Sequence, residues 1–167
     1  MKEFMSIIAA ETGAQYAIME GLARRIVPDF YGAFFAVETA EYLVESGHTA
    51  VALAAQAGRG SRHFLIECDG EAVGYFSLSV EGTTMLLSHF YVLSAWRGKG
   101  LGKMAMAFIE AEGRRLGISR IELFVLRENF GAVEVYARSG FAVAEEVLTR
   151  LGNGAVLEDY VMRKVID

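Results

Sequence analysis

The stretch Trp96-Arg97-Gly98-Lys99-Gly100-Leu101-Gly102-Lys103 has the makings of an anion cradle. An apolar, strand-like run precedes it and an amphipathic helical pattern follows. Glycines at these spacings let successive backbone N–H groups turn toward one point with no Cβ in the way. The partial positive charge of a helix N-terminus adds to Arg97, Lys99 and Lys103. A diphosphate fits such a cradle. A plainer reading is a Gly-rich turn with solvated basic residues, and spacing has to decide between them. A P-loop needs Gly-x-x-x-x-Gly-Lys-Ser/Thr, whereas Gly98 and Gly102 are four apart and Met104 follows Lys103. A dinucleotide fingerprint would need glycine at Ala105 or at Leu101, and no opening βαβ unit precedes the loop. Arg-x-x-Gly-x-Gly remains, carried by Arg97, Gly100 and Gly102.

Composition limits what can hold this loop. At 167 residues, 53% hydrophobic and with one proline, the chain suits a single folded domain over 1–167 without low-complexity segments or repeats. The one cysteine, Cys68, excludes an intramolecular disulfide and reads as a small buried hydrophobe closing a strand. A net charge of −5 argues against a nucleic-acid surface. Ser6–Ala10 is too short for a signal core and is flanked by Glu3 and Glu11, and the alanine-rich Ala50–Ala57 is too short to cross a bilayer. No membrane contact and a cytoplasmic location are expected.

Periodicity supplies the elements. A short strand is expected over Phe4–Ala9. Thr12 and Gln15 have capping-box spacing for a helix with Ile18, Leu22 and Ile26 on one face, ending before Pro28. Two helices follow, Thr39–Ser46 closed by Gly47 and Thr49–Ala57 closed by Gly58. Between the first helix and that pair lies Phe30-Tyr31-Gly32-Ala33-Phe34-Phe35, whose aromatics either line an apolar acceptor pocket or pack a helix-linking loop. His63–Cys68, Ala72–Val80 and Thr84–Leu93 read as antiparallel strands joined by turns at Asp69-Gly70 and Glu81-Gly82. After the cradle, Leu101, Met104, Ala105, Phe108, Ile109 and Leu116 recur at helical spacing up to Gly117. Ile121, Leu123 and Val125 give a central strand one wholly apolar face. Asn129 caps a short helix carrying Val133, Tyr136 and Ala137 and stopping at Gly140, and Asn153-Gly154 joins a final hairpin of Phe141–Leu151 and Ala155–Val165.

Two segments besides the loop bear on function: Tyr91-Val92-Leu93 before it, and Leu123–Asn129 followed by Ala132, Tyr136 and Gly140-Phe141. In type, order and spacing these resemble the GNAT superfamily of N-acyltransferases, well over Arg62–Lys164 and in outline before that. The resemblance implies an α+β fold, a mixed and mostly antiparallel central sheet of about seven strands flanked by helices. It implies acetyl-CoA as acyl donor, no metal, and transfer to a primary amine. Acceptors in view are a small molecule such as a polyamine, amino acid or aminoglycoside, or alternatively a protein lysine or N-terminus; a homodimer is compatible.

By the same resemblance, Phe90, Tyr91, Val92 and Leu93 pair with the pantetheine arm, and Arg97, Gly98, Lys99, Gly100, Leu101, Gly102 and Lys103 hold the pyrophosphate. Asn129 bonds pantetheine or water, a task compatible with capping its helix. The Val92 N–H faces the oxyanion, and Tyr136 protonates the leaving thiolate. Tyr31, Phe34 and Phe35 are the expected acceptor-side residues. Outside the motif, Tyr136 would read as a packing residue. The pattern breaks at the base. Relatives carry a carboxylate or histidine at positions that here read Leu86 and Ser88. Strand alternation sends His89 to the opposite face, with Leu87 and Tyr91, unless a bulge reorients it. Water relayed past Ser88, a glutamate from elsewhere, or His89 itself is left to take the proton, and a lone histidine at such a place otherwise reads as structural. The missing base also motivates a rival reading, a catalytically idle acyl-CoA sensor.

Overall fold

Thr12 opens the first helix as its capping-box spacing requires. Its hydroxyl accepts from the Gln15 N–H at 3.2 Å, and Gln15 Oε1 accepts in return from the Thr12 N–H at 3.0 Å. The structure, a computed structural model, describes residues 4–167. Among them the elements are β1 (Met5–Ala10), α1 (Gly13–Tyr31), α2 (Val37–Gly47), α3 (Ala50–Gly58), β2 (Arg62–Cys68), β3 (Glu71–Glu81), β4 (Thr84–Val92), α4 (Leu101–Arg115), β5 (Arg120–Leu126), α5 (Phe130–Arg138), β6 (Ala142–Arg150) and β7 (Val156–Val165). The strands form a seven-stranded sheet in the order β1-β2-β3-β4-β5-β7-β6. Strands β1/β2, β2/β3, β5/β7 and β6/β7 run antiparallel and β4/β5 parallel. That parallel step needs a crossover, which α4 provides. The mixed, mostly antiparallel α+β architecture expected from the sequence is the one the chain adopts.

Two compact units can be described. The first comprises residues up to Ser79 together with His89–Ile109. Phe64 stacks on Phe76 at 5.1 Å, Phe108 of α4 meets both rings edge-on at 5.2 and 6.1 Å, and Phe90 stacks on Phe76 at 5.9 Å. Elsewhere in this unit the buried His63 donates from Nε2 to the Leu53 carbonyl at 2.9 Å, and its Nδ1 accepts from Ser77 Oγ at 2.6 Å. Both nitrogens of a neutral ring are thereby satisfied. The second unit comprises Val80–Ser88 and Glu110–Asp167. Here the buried Ile121 and Leu123 of β5 lie between Met85 and Leu87 of β4 on one side and, for Leu123, Met162 of β7 on the other. Edge strand β6 is largely exposed.

Two local expectations need correction. Helix α1 does not end before Pro28 but runs through it to Tyr31. Proline removes the donor to the Arg24 carbonyl, yet its own carbonyl accepts from the Gly32 N–H at 2.8 Å. The last turn is held by rings as well: Phe30 packs edge-on against Tyr31 at 4.9 Å and against Tyr91 at 5.5 Å. Phe30 and Tyr31 are therefore helical, and only the residues after Tyr31 link α1 to α2. Ile18 is 45% exposed and Leu116 41%. The buried face of α1 is Tyr16, Met19, Leu22, Ala23, Ile26 and Val27. The last hairpin turns at Asn153-Gly154 as expected, closed by the Leu151 N–H to the Ala155 carbonyl at 2.8 Å and by Asn153 Oδ1 accepting from the Ala155 N–H at 3.0 Å.

Gly74 lets β3 approach β4. A Cβ there would sit 2.5 Å from the Tyr91 carbonyl oxygen and 3.2 Å from Val92 Cα, both backbone atoms of the expected pantetheine-pairing strand. Gly74→Ala is expected to cost about 1–3 kcal/mol, as overpacking does, and to weaken acetyl-CoA binding along with it. Chemical denaturation and calorimetry on the variant measure the two effects. Unchanged stability would contradict the close approach.

Candidate active site

The cradle begins where β4 ends. A 3-10 turn at Ser94–Trp96 leads into the loop, and Arg97 folds back so that its Nε donates to the Val92 carbonyl at 3.1 Å. Gly98 and Gly100 both lie in the left-handed region, at φ 75° and 85°. Side-chain-bearing residues rarely adopt that conformation, and alternating the backbone in this way turns neighbouring N–H groups toward a common side. A Cβ at Gly98, Gly100 or Gly102 would meet nothing within 4 Å, so the ground beside the loop is open. The Gly100 carbonyl accepts from the Met104 N–H at 3.1 Å, the first bond of α4. The N–H groups of Leu101, Gly102 and Lys103 consequently have no acceptor within the helix. Lys99 Nζ lies 4.9 Å from the centroid of the Trp96 ring. Open backbone donors, a helix N-terminus and three basic residues give the positive, uncluttered ground that suits a diphosphate.

Upstream, β4 is irregular where the chemistry is expected. His89 has φ 53°, one of two non-glycine residues in the left-handed region among those described, and such a residue breaks the two-residue alternation of a strand. Registered pairing of β4 with β5 runs from Thr84 to Leu87 and ends just before it. His89 and Tyr91 both lie against His48, at ring distances of 4.2 and 5.7 Å, while Phe90 between them lies on Phe76. The left-handed backbone at His89 interrupts the regular strand at that point. His89 shares a face with Tyr91, as expected. Leu86 and Ser88 are half-buried.

Polar side chains, buried at His48 and Tyr75 and half-buried at Tyr31, Gln56 and Tyr91, gather around His89. His48 Nδ1 lies 2.8 Å from the Tyr75 hydroxyl, the Tyr31 and Tyr91 hydroxyls are 3.2 Å apart, and His89 Nε2 lies 3.2 Å from Gln56 Oε1. Tyr31 also faces Phe35 at 6.2 Å, and the N–H groups of Phe34 and Phe35 both donate to the Tyr31 carbonyl at 2.9 Å. The rings of Phe30, Tyr31 and Phe35 thus pack around the end of α1. Phe34 and Phe35 themselves are half-buried. Burial, with His89 alongside, pushes the His48 pKa down to about 3; burial, with a smaller contribution from His63, pushes that of His89 down to about 4. Burial and the neighbouring Tyr31 push Tyr75 up.

These depressed values fix a pH dependence. In the unfolded chain the same imidazoles titrate near ~6.5, so below that pH the unfolded state takes up protons that the folded state refuses. Stability is therefore full above about pH 6.5 and is lost as the pH falls toward 4 for His89 and toward 3 for His48, by roughly a few kcal/mol. Melting temperatures measured from pH 7.5 to 5 should decline in the wild type and decline less in His48→Asn, whose amide takes the place of Nδ1. A flat wild-type curve over that range would contradict it.

In the second unit, Asn129 performs the expected cap, its Oδ1 accepting from the Ala132 N–H at 3.2 Å; its amide carries two donors besides. Tyr136 on α5 is half-buried and edge-on to Phe141 at 6.0 Å, and its carbonyl accepts from the Phe141 N–H at 3.0 Å. Lys164 Nζ donates to the Ser139 carbonyl at 2.7 Å just beyond α5 and pairs with Glu110. Gly140, at φ 96°, would bring a Cβ within 3.0 Å of Lys164 Cε. The end of the helix bearing Tyr136 is thereby pinned. The sequence reading missed Lys164, Gln56 and His48. None belongs to a motif, and each meets a partner distant in the chain.

Residues 24–141 match the acetyltransferase (GNAT) family. The chain belongs to the GNAT acetyltransferase family. An uncharacterized N-acetyltransferase of Lactobacillus delbrueckii subsp. lactis is 27% identical over 115 residues, 64% of this chain and 66% of that protein. The spermidine N(1)-acetyltransferase of Escherichia coli strain K12 is 29% identical over 93 residues, 54% of this chain and 50% of that enzyme. The alignments thus span between half and two thirds of these relatives' lengths. Among solved structures, the PaiA N-acetyltransferase of Thermoplasma acidophilum, determined in complex with coenzyme A, superposes with a TM-score of 0.80 at 18% identity, over 99% of both chains. The ribosomal-protein-S18-alanine N-acetyltransferase of Escherichia coli superposes at 0.72 and 19% identity, over 98% of this chain and 95% of its own. These superpositions establish the GNAT fold. No helix among the described residues is long and apolar enough to cross a membrane, and no cluster of three or more His, Cys, Asp or Glu there could hold a metal.

Proposed function

We propose that this GNAT protein transfers the acetyl group of acetyl-CoA to the primary amine of a small molecule, by direct attack within a ternary complex. The observation that carries the reading is the cradle, with two left-handed glycines in open ground leading into the N-terminus of α4. Spermidine acetyltransferases among the relatives favour a polyamine over the other small amines considered.

In this reading the N–H groups from Arg97 to Gly102 bind the pyrophosphate and Lys103 adds charge. Phe90–Leu93 pair with the pantetheine arm, Asn129 bonds to it, and the Val92 N–H takes the oxyanion. Tyr31, Phe34 and Phe35 border the acceptor. The Tyr136 hydroxyl, protonated at neutral pH, donates to the departing thiolate. Among the candidates on β4, His89 can accept a proton and Ser88 can pass one through water. Because burial holds His89 neutral well below pH 7, the ring keeps a lone pair throughout the neutral range. The idle-sensor reading rests on the absence of a carboxylate at Leu86 and Ser88. Thermal-shift measurements with acyl-CoAs, followed by thiol release against an amine panel, separate the two: the enzyme releases thiol with an amine, whereas the sensor only binds.

A further inference from the structure

His89 has two ring nitrogens, and its neighbours determine which of them can take a proton. Nε2 lies 3.2 Å from Gln56 Oε1. The Gln56 amide is itself fixed, because its Nε2 donates to the Gly47 carbonyl at 2.9 Å, an oxygen that only accepts. Turning the amide over would set two carbonyl oxygens against each other, so Oε1 must face the imidazole. Oε1 accepts only, and the proton of neutral His89 therefore sits on Nε2 and the lone pair on Nδ1.

The frame behind this amide is built in. Gly47 ends α2, and α3, which carries Gln56, is capped by Thr49, whose hydroxyl accepts from the Ala52 N–H at 3.1 Å. On the other side, the left-handed backbone of His89, a conformation costing a non-glycine residue about 1–2 kcal/mol, directs its ring onto Gln56 and His48. The titratable groups around the ring are His48 beyond α2, His63 of β2, Tyr75 of β3, Tyr91 of β4 and, through Tyr91, Tyr31 of α1.

We infer that Gln56 is a positioning residue for proton transfer: by holding His89 as the Nε2–H tautomer it makes Nδ1 the atom that receives the proton of the attacking amine. This rests on the acetyltransferase reading above. The amine nitrogen bonds to the thioester carbon, the carbon–sulfur bond breaks, the amine proton passes to Nδ1, and the thiolate takes the Tyr136 hydroxyl proton. His89 and Tyr136 then return to their starting states through water, so the net products are an N-acetylated amine and free thiol. The amine nitrogen becomes far more acidic once bonded to the carbonyl carbon, which lets a weakly basic imidazole serve.

The test combines nitrogen-15 NMR of the histidines with kinetics on the full chain. In the wild type at pH 7, the His89 resonances, assigned by their loss in His89→Asn, should show a protonated Nε2 and a bare Nδ1. Gln56→Leu should give mixed tautomers and lower kcat about ten-fold, part of what a general base supplies, with an unchanged KM for acetyl-CoA. Gln56→Glu places a carboxylate on Nε2 and should raise the His89 pKa by about one pH unit or more, bringing into the kcat/KM profile above pH 5 an inflection that the wild type lacks. The kinetic amine is whichever member of the spermidine-containing panel releases thiol fastest. A bare Nε2 in the wild type, or turnover whose profile is unmoved in Gln56→Glu and whose kcat is unmoved in Gln56→Leu, overturns the positioning role alone. No thiol release with any amine overturns the acetyltransferase reading, and the base with it.

Discussion

Replacing Gly100 with valine is expected to abolish acetyl-CoA binding while leaving the rest of the fold intact. The effect is conformational. A Cβ at this position meets nothing within 4 Å, so no clash disturbs the protein, but the backbone stands at φ 85°, which a β-branched residue tolerates poorly. Relaxing that angle rotates the peptide planes on either side and turns their N–H groups away from the shared point, and it displaces the carbonyl that starts α4 at Met104. Gly102 offers a control, since it lies within the first turn of α4 with equally open space and without a left-handed φ. Gly102→Ala should leave α4 unchanged and weaken binding only by crowding the anion. Calorimetry with acetyl-CoA, alongside circular dichroism, checks both. Retained affinity in Gly100→Val would remove the cradle from the account, as would preferential binding of NAD or ATP by the wild type.

That loop was legible because its chemistry is local: glycine spacing, flanking charge and the change from strand to helix all lie within a few residues of Gly100. The capping box at Thr12 and the cap at Asn129 were legible for the same reason. What escaped was set by contacts distant in sequence. Pro28 reads as a helix stop, and the packing of Phe30 on the distant Tyr91 is one reason α1 continues through it. Periodicity assigned Ile18 and Leu116 to apolar faces, but it does not reveal how much of a face a neighbour covers, and both are exposed. The left-handed backbone at His89 has no signature in Ser88-His89-Phe90, and neither does its pairing with Gln56, thirty-three residues away. The loop was therefore readable from the sequence, while the surroundings of His89 were not.

Tyr136→Phe is expected to lower kcat by about ten-fold to a thousand-fold, part or all of what a general acid supplies, with little change in acetyl-CoA affinity. Phenylalanine keeps the ring and so its edge-on packing against Phe141 at 6.0 Å. The backbone around it is held independently, by the Phe141 N–H on the Tyr136 carbonyl and by Lys164 on the Ser139 carbonyl. The substitution thus removes the hydroxyl proposed as the proton donor and keeps these contacts. Pre-steady-state thiol release, where chemistry limits the rate, is the measurement, and turnover equal to wild type there would assign Tyr136 to packing.

Whether this protein moves an acetyl group or only binds its carrier is decided most directly by following free thiol and acceptor mass together. The protein would be incubated with acetyl-CoA and a panel of primary amines that includes spermidine, amino acids and aminoglycosides, across neutral to alkaline pH. The account predicts equal amounts of free thiol and N-acetylated amine for at least one member, at a rate that rises with pH as the amine loses its proton. Tight acetyl-CoA binding with no thiol released to any amine at any pH would contradict it and leave the sensor reading in its place.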